Sequence, residues 1–115
     1  MENEQRQEPV SFTVQLSTSS ATREALEFGL RTVVAETLTQ AGCLECRLLT
    51  DLLDPTEVVL VEEWRTEEDF HNYVRSATFL KLLGCVDLGE SPPVFEIRTS
   101  QQTRGIEYLQ KVRGI

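Results

Sequence analysis

The constraint that most narrows the fold lies between Cys43 and Arg65, where two extended runs flank the breaker Asp54-Pro55. In the second run Val58, Leu60, Glu62 and Trp64 share one face, while Val59, Val61 and Glu63 share the other, because side chains alternate along a strand. The first run alternates likewise, with Leu44, Cys46, Leu48, Thr50 and Leu52 opposed to Glu45, Arg47, Leu49 and Asp51. This is a β-hairpin turning at Asp54-Pro55. Apolar residues on both faces of its second strand demand a sheet covered on both sides. At 115 residues the chain has one domain's worth of core, and its own helices cover only one side well. The second cover is expected from another subunit.

The segments around the hairpin supply that first cover. Val10, Phe12, Val14 and Leu16 alternate with Ser11, Thr13, Gln15 and Ser17, a half-buried first strand. The period then changes. Leu26, Leu30, Val33, Thr37 and Ala41, widened by Val34 and Leu38, form the apolar stripe of a helix over about residues 22–40, with Gly42 as its left-handed stop. Gly29 inside this helix either permits close approach of a strand or ligand or is simply tolerated. Thr66-Glu-Glu-Asp69 reads as a capping box opening a helix with Phe70, Tyr73 and Val74 inward. Ser76 caps another, buried through Phe79, Leu80 and Leu83 and ending at Gly84.

A fourth strand follows over 94–100, then a C-terminal helix over 103–113 with Ile106, Leu109 and Val112 on one face. Residues 1–9 read as a disordered lead, and 10–115 as a single domain. The order β-α-β-β-α-β plus a terminal helix is the α+β, ferredoxin-like arrangement, with an antiparallel sheet.

Charge and cysteine content bound the partners. A net charge of −8 argues against nucleic acid and against an anionic membrane surface. No run reaches the roughly 18–20 apolar residues of a membrane span, and the polar, acidic start is not a signal peptide, so a cytoplasmic location is the default expectation. The C-terminal segment is locally basic, with Arg104, Lys111 and Arg113 against Glu107. It is expected to pack on the other subunit through Ile106, Leu109 and Val112. Cys43-Leu-Glu-Cys46 has C-x-x-C spacing, but strand alternation puts residues three apart on opposite faces. With Cys85 they are read as unpaired thiols, and no metal site is expected.

Several residues in order resemble the antibiotic biosynthesis monooxygenase domain family: Gly42-Cys-Leu-Glu-Cys-Arg-Leu-Leu, Asp54-Pro, Val-Glu-Glu-Trp64 and Val-Arg-Ser76-Ala-Thr-Phe79. Arg104-Gly-Ile-Glu-Tyr-Leu is similar to C-terminal extensions of some members. The resemblance implies a dimeric α+β barrel, in which two sheets face each other. It also implies candidate activities: oxygenation of polycyclic phenols without a cofactor, quinol oxidation, or heme degradation. The chain departs from the family pattern where it matters for chemistry. Tyr73 and Thr78 stand where members often carry histidines. The heme-degrading branch has tryptophan at the Tyr73 position and histidine at the Leu83 position, and leucine cannot ligate iron.

Chemistry on a phenol needs an apolar pocket, a donor for the ring oxygen and a base for its proton; the resulting anion can react with oxygen directly, with no metal or flavin. Tyr73, Glu62 and His71 are the candidate catalytic residues, and Trp64, Arg47, Phe70, Phe79 and Leu83 the candidate substrate contacts, with Arg47 or Arg75 available for an oxyanion. Each has a plainer reading. Trp64 and Tyr73 serve equally as core aromatics, Glu62 as a partner of Arg47 across the hairpin, and His71 as an outer-face residue about 200° round the helix from Tyr73. The alternative to an oxygenase is a non-catalytic dimeric module that binds an aromatic small molecule or a partner.

Overall fold

Alternating residues fold into the expected strands, and the computed structural model describes residues 8–100 and 102–114. Of the N-terminal lead, residues 1–7 lie outside the described residues. Strand β1 (Val10–Ser17) is central, antiparallel to both β3 (Glu57–Trp64) and β4 (Val94–Arg98). Strand β2 (Cys43–Thr50) joins β3 through the hairpin, and a two-residue β5 (Thr103–Arg104) adds to β4. The sheet order is β2-β3-β1-β4-β5. One face carries the helices α1 (Arg23–Thr37), α2 (Glu67–Val74), α3 (Ala77–Val86) and α4 (Ile106–Arg113).

The core forms where the inward strand residues meet those helices. Phe12, Val14, Leu16, Leu60 and Ile97 from the sheet bury completely against Leu26, Leu30, Val33, Phe70 and Leu82. Each such side chain contributes about 1.5–3 kcal/mol on burial, which holds the layer together. Local signals set the element ends. The Thr66 hydroxyl accepts from Asp69 N at 3.1 Å, and the Ser76 hydroxyl from Phe79 N at 3.3 Å. Gly42 adopts φ +85°, and a Cβ there would fall 2.3 Å from Asp69 Cγ. Only glycine suits that position.

Four local expectations are corrected. Helix α1 stops at Thr37, and Leu38 and Ala41 are exposed, so the turn to Gly42 begins earlier. Helix α3 buries Thr78, Phe79, Leu82 and Cys85, leaving Leu80 52% exposed, and it runs through Gly84 to Val86. The buried stripe is rotated because the Thr78 hydroxyl is drawn inward to Glu36 Oε1, at 3.0 Å, and accepts from Gln40 Nε2. Gly29 admits neither strand nor ligand: a Cβ there would sit 2.7 Å from Cys85 Sγ, so glycine lets α1 and α3 touch. Finally, Thr103 and Arg104 pair with Arg98 and Ile97 as a strand, and extended Gly105 delays the terminal helix to Ile106.

The terminal helix also differs in what it covers. Tyr108 and Leu109 are buried and Val112 half-buried within their own chain, and Arg113 Nη1 donates to Val74 O at 2.6 Å. The apolar side expected to meet a second subunit is therefore largely spent on α2; only Ile106, 40% exposed, remains outward.

Candidate active site

Glu62 and Trp64 lie two residues apart on β3 and so face the helices together. Helix α2 follows directly, and its inward positions are Phe70, Tyr73 and Val74. The connection is short, which places Tyr73 over the end of β3. Its ring stacks on Trp64 with centroids 4.6 Å apart. Its hydroxyl donates to Glu62 Oε2 at 2.8 Å, and the Trp64 indole N–H donates to Glu62 Oε1 at 2.9 Å. Phe79 meets the Tyr73 ring edge-on at 5.4 Å, and Phe12 and Phe70 pack 5.4 Å apart on the other side.

None of Glu62 or Trp64 reaches solvent, and Tyr73 is 1% exposed. Burial disfavours the charged carboxylate, while bonds from Trp64 and Tyr73 favour it. Burial wins, and the Glu62 pKa is pushed up to about 7. Burial and the neighbouring Glu62 together hold the Tyr73 phenol well above its ordinary range. The result is a carboxyl poised to exchange a proton at neutral pH, beside a phenol that stays protonated.

Strand β2 closes the cluster, through a feature that alternation alone does not reveal. Cys43 pairs with Trp64, Glu45 with Glu63 and Cys46 with Glu62, so Leu44 is an extra, bulged residue. The bulge turns Cys43 and Cys46 to the same face as Glu62, contrary to the reading of opposite faces. Both are free thiols, and burial followed by the Glu62 charge pushes both up in pKa. The unbroken register between the turn and Glu45 decides the fate of Arg47. It lies opposite Val61 on the other face of the sheet, exposed and paired with Glu45 at 3.1 Å. The expected Arg47–Glu62 pair does not form.

The other sequence candidates separate into near and far. Phe70 and Phe79 are buried against the Tyr73 ring, and Leu83 is half-buried at the core margin. His71 is on the outer side of α2. Its Nε2 lies 2.5 Å from the Tyr108 hydroxyl, which donates to Glu67 Oε1 at 2.5 Å. Partial burial pulls the His71 pKa down, and Glu67 pushes it back up. Arg75 is exposed, and lines a surface cleft with Glu67, Glu68, His71 and Asn72, remote from Glu62. Thr78, at the second position where related sequences carry histidine, is committed to the α1–α3 tie with Glu36 and Gln40. Among the described residues, no group of three or more His, Cys, Asp and Glu side chains is placed to hold a metal ion.

Thr37 was legible only as part of the α1 stripe, where a hydroxyl among leucines and valines is the signal. It is fully buried, and its Oγ1 has no hydrogen-bond partner. It lies beside the Tyr73 and Cys46 side chains and opposes, weakly, the upward pull of burial on both. A buried hydroxyl left unpaired costs about 1–3 kcal/mol.

Comparison with known proteins agrees with this architecture. The structure is similar to Rv0793 from Mycobacterium tuberculosis, with a TM-score of 0.72 and 22% identity over 78% of this chain and 92% of that one. It is similar to PA3566 from Pseudomonas aeruginosa, with a TM-score of 0.67 and 23% identity over 82% and 93%. SnoaB, a cofactor-independent oxygenase from Streptomyces nogalater, superposes with a TM-score of 0.70 and 18% identity over 83% and 95%. No curated protein matches the sequence. The sequence model of antibiotic biosynthesis monooxygenases matches residues 9–83, from the start of β1 into helix α3. The chain therefore belongs to the antibiotic biosynthesis monooxygenase family.

Proposed function

We propose that the chain is a cofactor-independent monooxygenase of phenolic or quinol-type small molecules, with Glu62 as the base. The observation that carries this reading is the carboxyl itself. It is wholly buried, hydrogen-bonded only to the neutral Trp64 and Tyr73 donors, and half ionised near neutrality. A buried acid with no cation beside it is costly as a purely structural element. A substrate phenol seated against Trp64 would give its proton to Glu62, while the Tyr73 hydroxyl turns to the ring oxygen. The phenolate then supplies electrons to dioxygen at a ring C–H carbon. One oxygen atom stays on that carbon as a quinone carbonyl, and the other leaves as water with the two hydrogens lost from the ring carbon and the phenol.

The half-covered outer face of the sheet supports a homodimer, with Val59 and Val61 of each sheet meeting their counterparts. Among the described residues, no helix is long and apolar enough to cross a membrane. The three free thiols fit a cytoplasmic location.

A second reading has its own observation. The indole N–H of Trp64 and the hydroxyl of Tyr73 both already donate to Glu62, and the cluster is closed to solvent, as in a non-catalytic binding module or a structural core. Oxygen uptake with a panel of hydroquinones and naphthols decides between them. The oxygenase reading expects uptake that rises through about pH 7 and falls about 10²–10⁴-fold in Glu62→Gln. A wild-type protein that consumes no oxygen with any phenol leaves the non-catalytic reading standing.

A further inference from the structure

The outer face of the sheet is ordered in rows, because paired residues of antiparallel strands project to the same side. Across β2, β3, β1 and β4, one row reads Glu45, Glu63, Ser11 and Arg98. The next reads Arg47, Val61, Thr13 and Glu96, and the third Leu49, Val59, Gln15 and Val94. The two flanking strands therefore carry one ion pair each, with opposite polarity. On β2 the acid Glu45 lies in the first row and Arg47 in the second, 3.1 Å apart. On β4 Arg98 lies in the first row and the acid Glu96 in the second, 2.8 Å apart. All four side chains are at least 42% exposed, and exposed pairs of this kind contribute little to a single chain. Glu45 also stands directly opposite Glu63, a like-charged cross-strand pair that is destabilising by itself.

We infer that this face is a self-complementary recognition surface for a second copy of the chain, in which Arg47 pairs with the partner's Glu96 and Glu45 with the partner's Arg98. This rests on the homodimer proposed for the same face and fixes which side chains meet in it. Two sheets that face one another are related by a two-fold axis lying between them, and such an interface matches residue i to j and j to i. With the axis along the strands, between β3 and β1, each row lies over the same row of the second copy, reversed end for end. Strand β2 then covers β4 of the other copy. Every flanking charge meets its opposite, the partner's Arg98 sits over Glu45 beside Glu63, and Leu49 meets the partner's Val94. With the axis across the strands, the first row would instead lie on the third. Glu45 and Glu63 would then be buried against leucine and valine with no counter-charge. The charge pattern thus selects one orientation, and it favours another copy of this chain over a sheet of similar shape with a different order of charges.

Charge reversal on these exposed side chains leaves the core untouched, and sedimentation equilibrium reads the dimer dissociation constant. Arg47→Glu and Glu96→Arg each bring like charges together twice per dimer, so each alone should weaken dimerisation at least about ten-fold. The double variant Arg47→Glu/Glu96→Arg breaks both ion pairs within the chain but restores opposite charges between copies. It should return to within about three-fold of wild type. An equimolar mixture of the two single variants should form a heterodimer of similar strength, because both crossing pairs are restored in it. Single variants that dimerise as tightly as wild type overturn the inference and leave the dimer in place. So does a weakening that either the double variant or the mixture fails to repair, since the charges would then act only within their own strands. A wild type of one chain mass removes the dimer and the pairing with it.

Discussion

Glu62 is acidic by sequence but, when folded, holds its proton to about pH 7 against an ordinary value of 4.5. The unfolded chain releases that proton at lower pH, so between about 4.5 and 7 it binds fewer protons than the native state. Stability from this group is therefore fully present below pH 4.5 and is lost as pH rises through 7. The difference amounts to about 3 kcal/mol. Glu62→Gln keeps the shape and removes the titration. Urea unfolding should find the variant more stable than wild type at pH 8 by about 2–3 kcal/mol, and nearly equal at pH 4.5. An unchanged difference across that range would mean that Glu62 is not held protonated. Its pairing with Trp64 was readable from alternation, because both sit on one strand. Its bond to Tyr73 was not, since that depends on where α2 crosses the sheet.

Strand β2 and helix α4 mark where sequence reading of elements stops. Alternation assigns every residue of β2 a face only while each step advances the pairing by one. Leu44 breaks that count, and nothing in Cys-Leu-Glu-Cys announces it. Cys43 therefore shares a face with Cys46, which a count of three does not predict. Arg47, in the regular part of the ladder opposite Val61, faces away from Glu62 by alternation alone. The period of α4 was correct in Leu109 and Val112, but a period does not name the surface it packs on. Here the surface is α2, gripped by Tyr108 between His71 and Glu67, with the Arg104 guanidinium 4.5 Å over the Tyr108 ring. Leu109→Ala should destabilise the protein by about 2–4 kcal/mol. Thermal melts at several protein concentrations would show the same loss throughout, because the contact lies within one chain. A loss that vanished on dilution would return α4 to a subunit interface.

At the scale of the molecule, the order of strands and helices along the chain and the helix-covered face were legible, because hydrophobic period and breakers dictate them. The outer face was legible as needing a cover, and in a single chain it remains half-buried at Val59 and Val61 and exposed at Leu49 and Val94. Light scattering at micromolar concentration is expected to return twice the 13.1 kDa chain mass, and Val61→Lys about one. One chain mass for wild type would reject the dimer.

The stacked Trp64 has an optical consequence. It is the only indole in the chain, so all indole emission and indole circular dichroism arise from one ring fixed on Tyr73 and bonded to Glu62. Any parting of the helices from the sheet must change that signal. The native protein thus carries its own optical label at its buried acid.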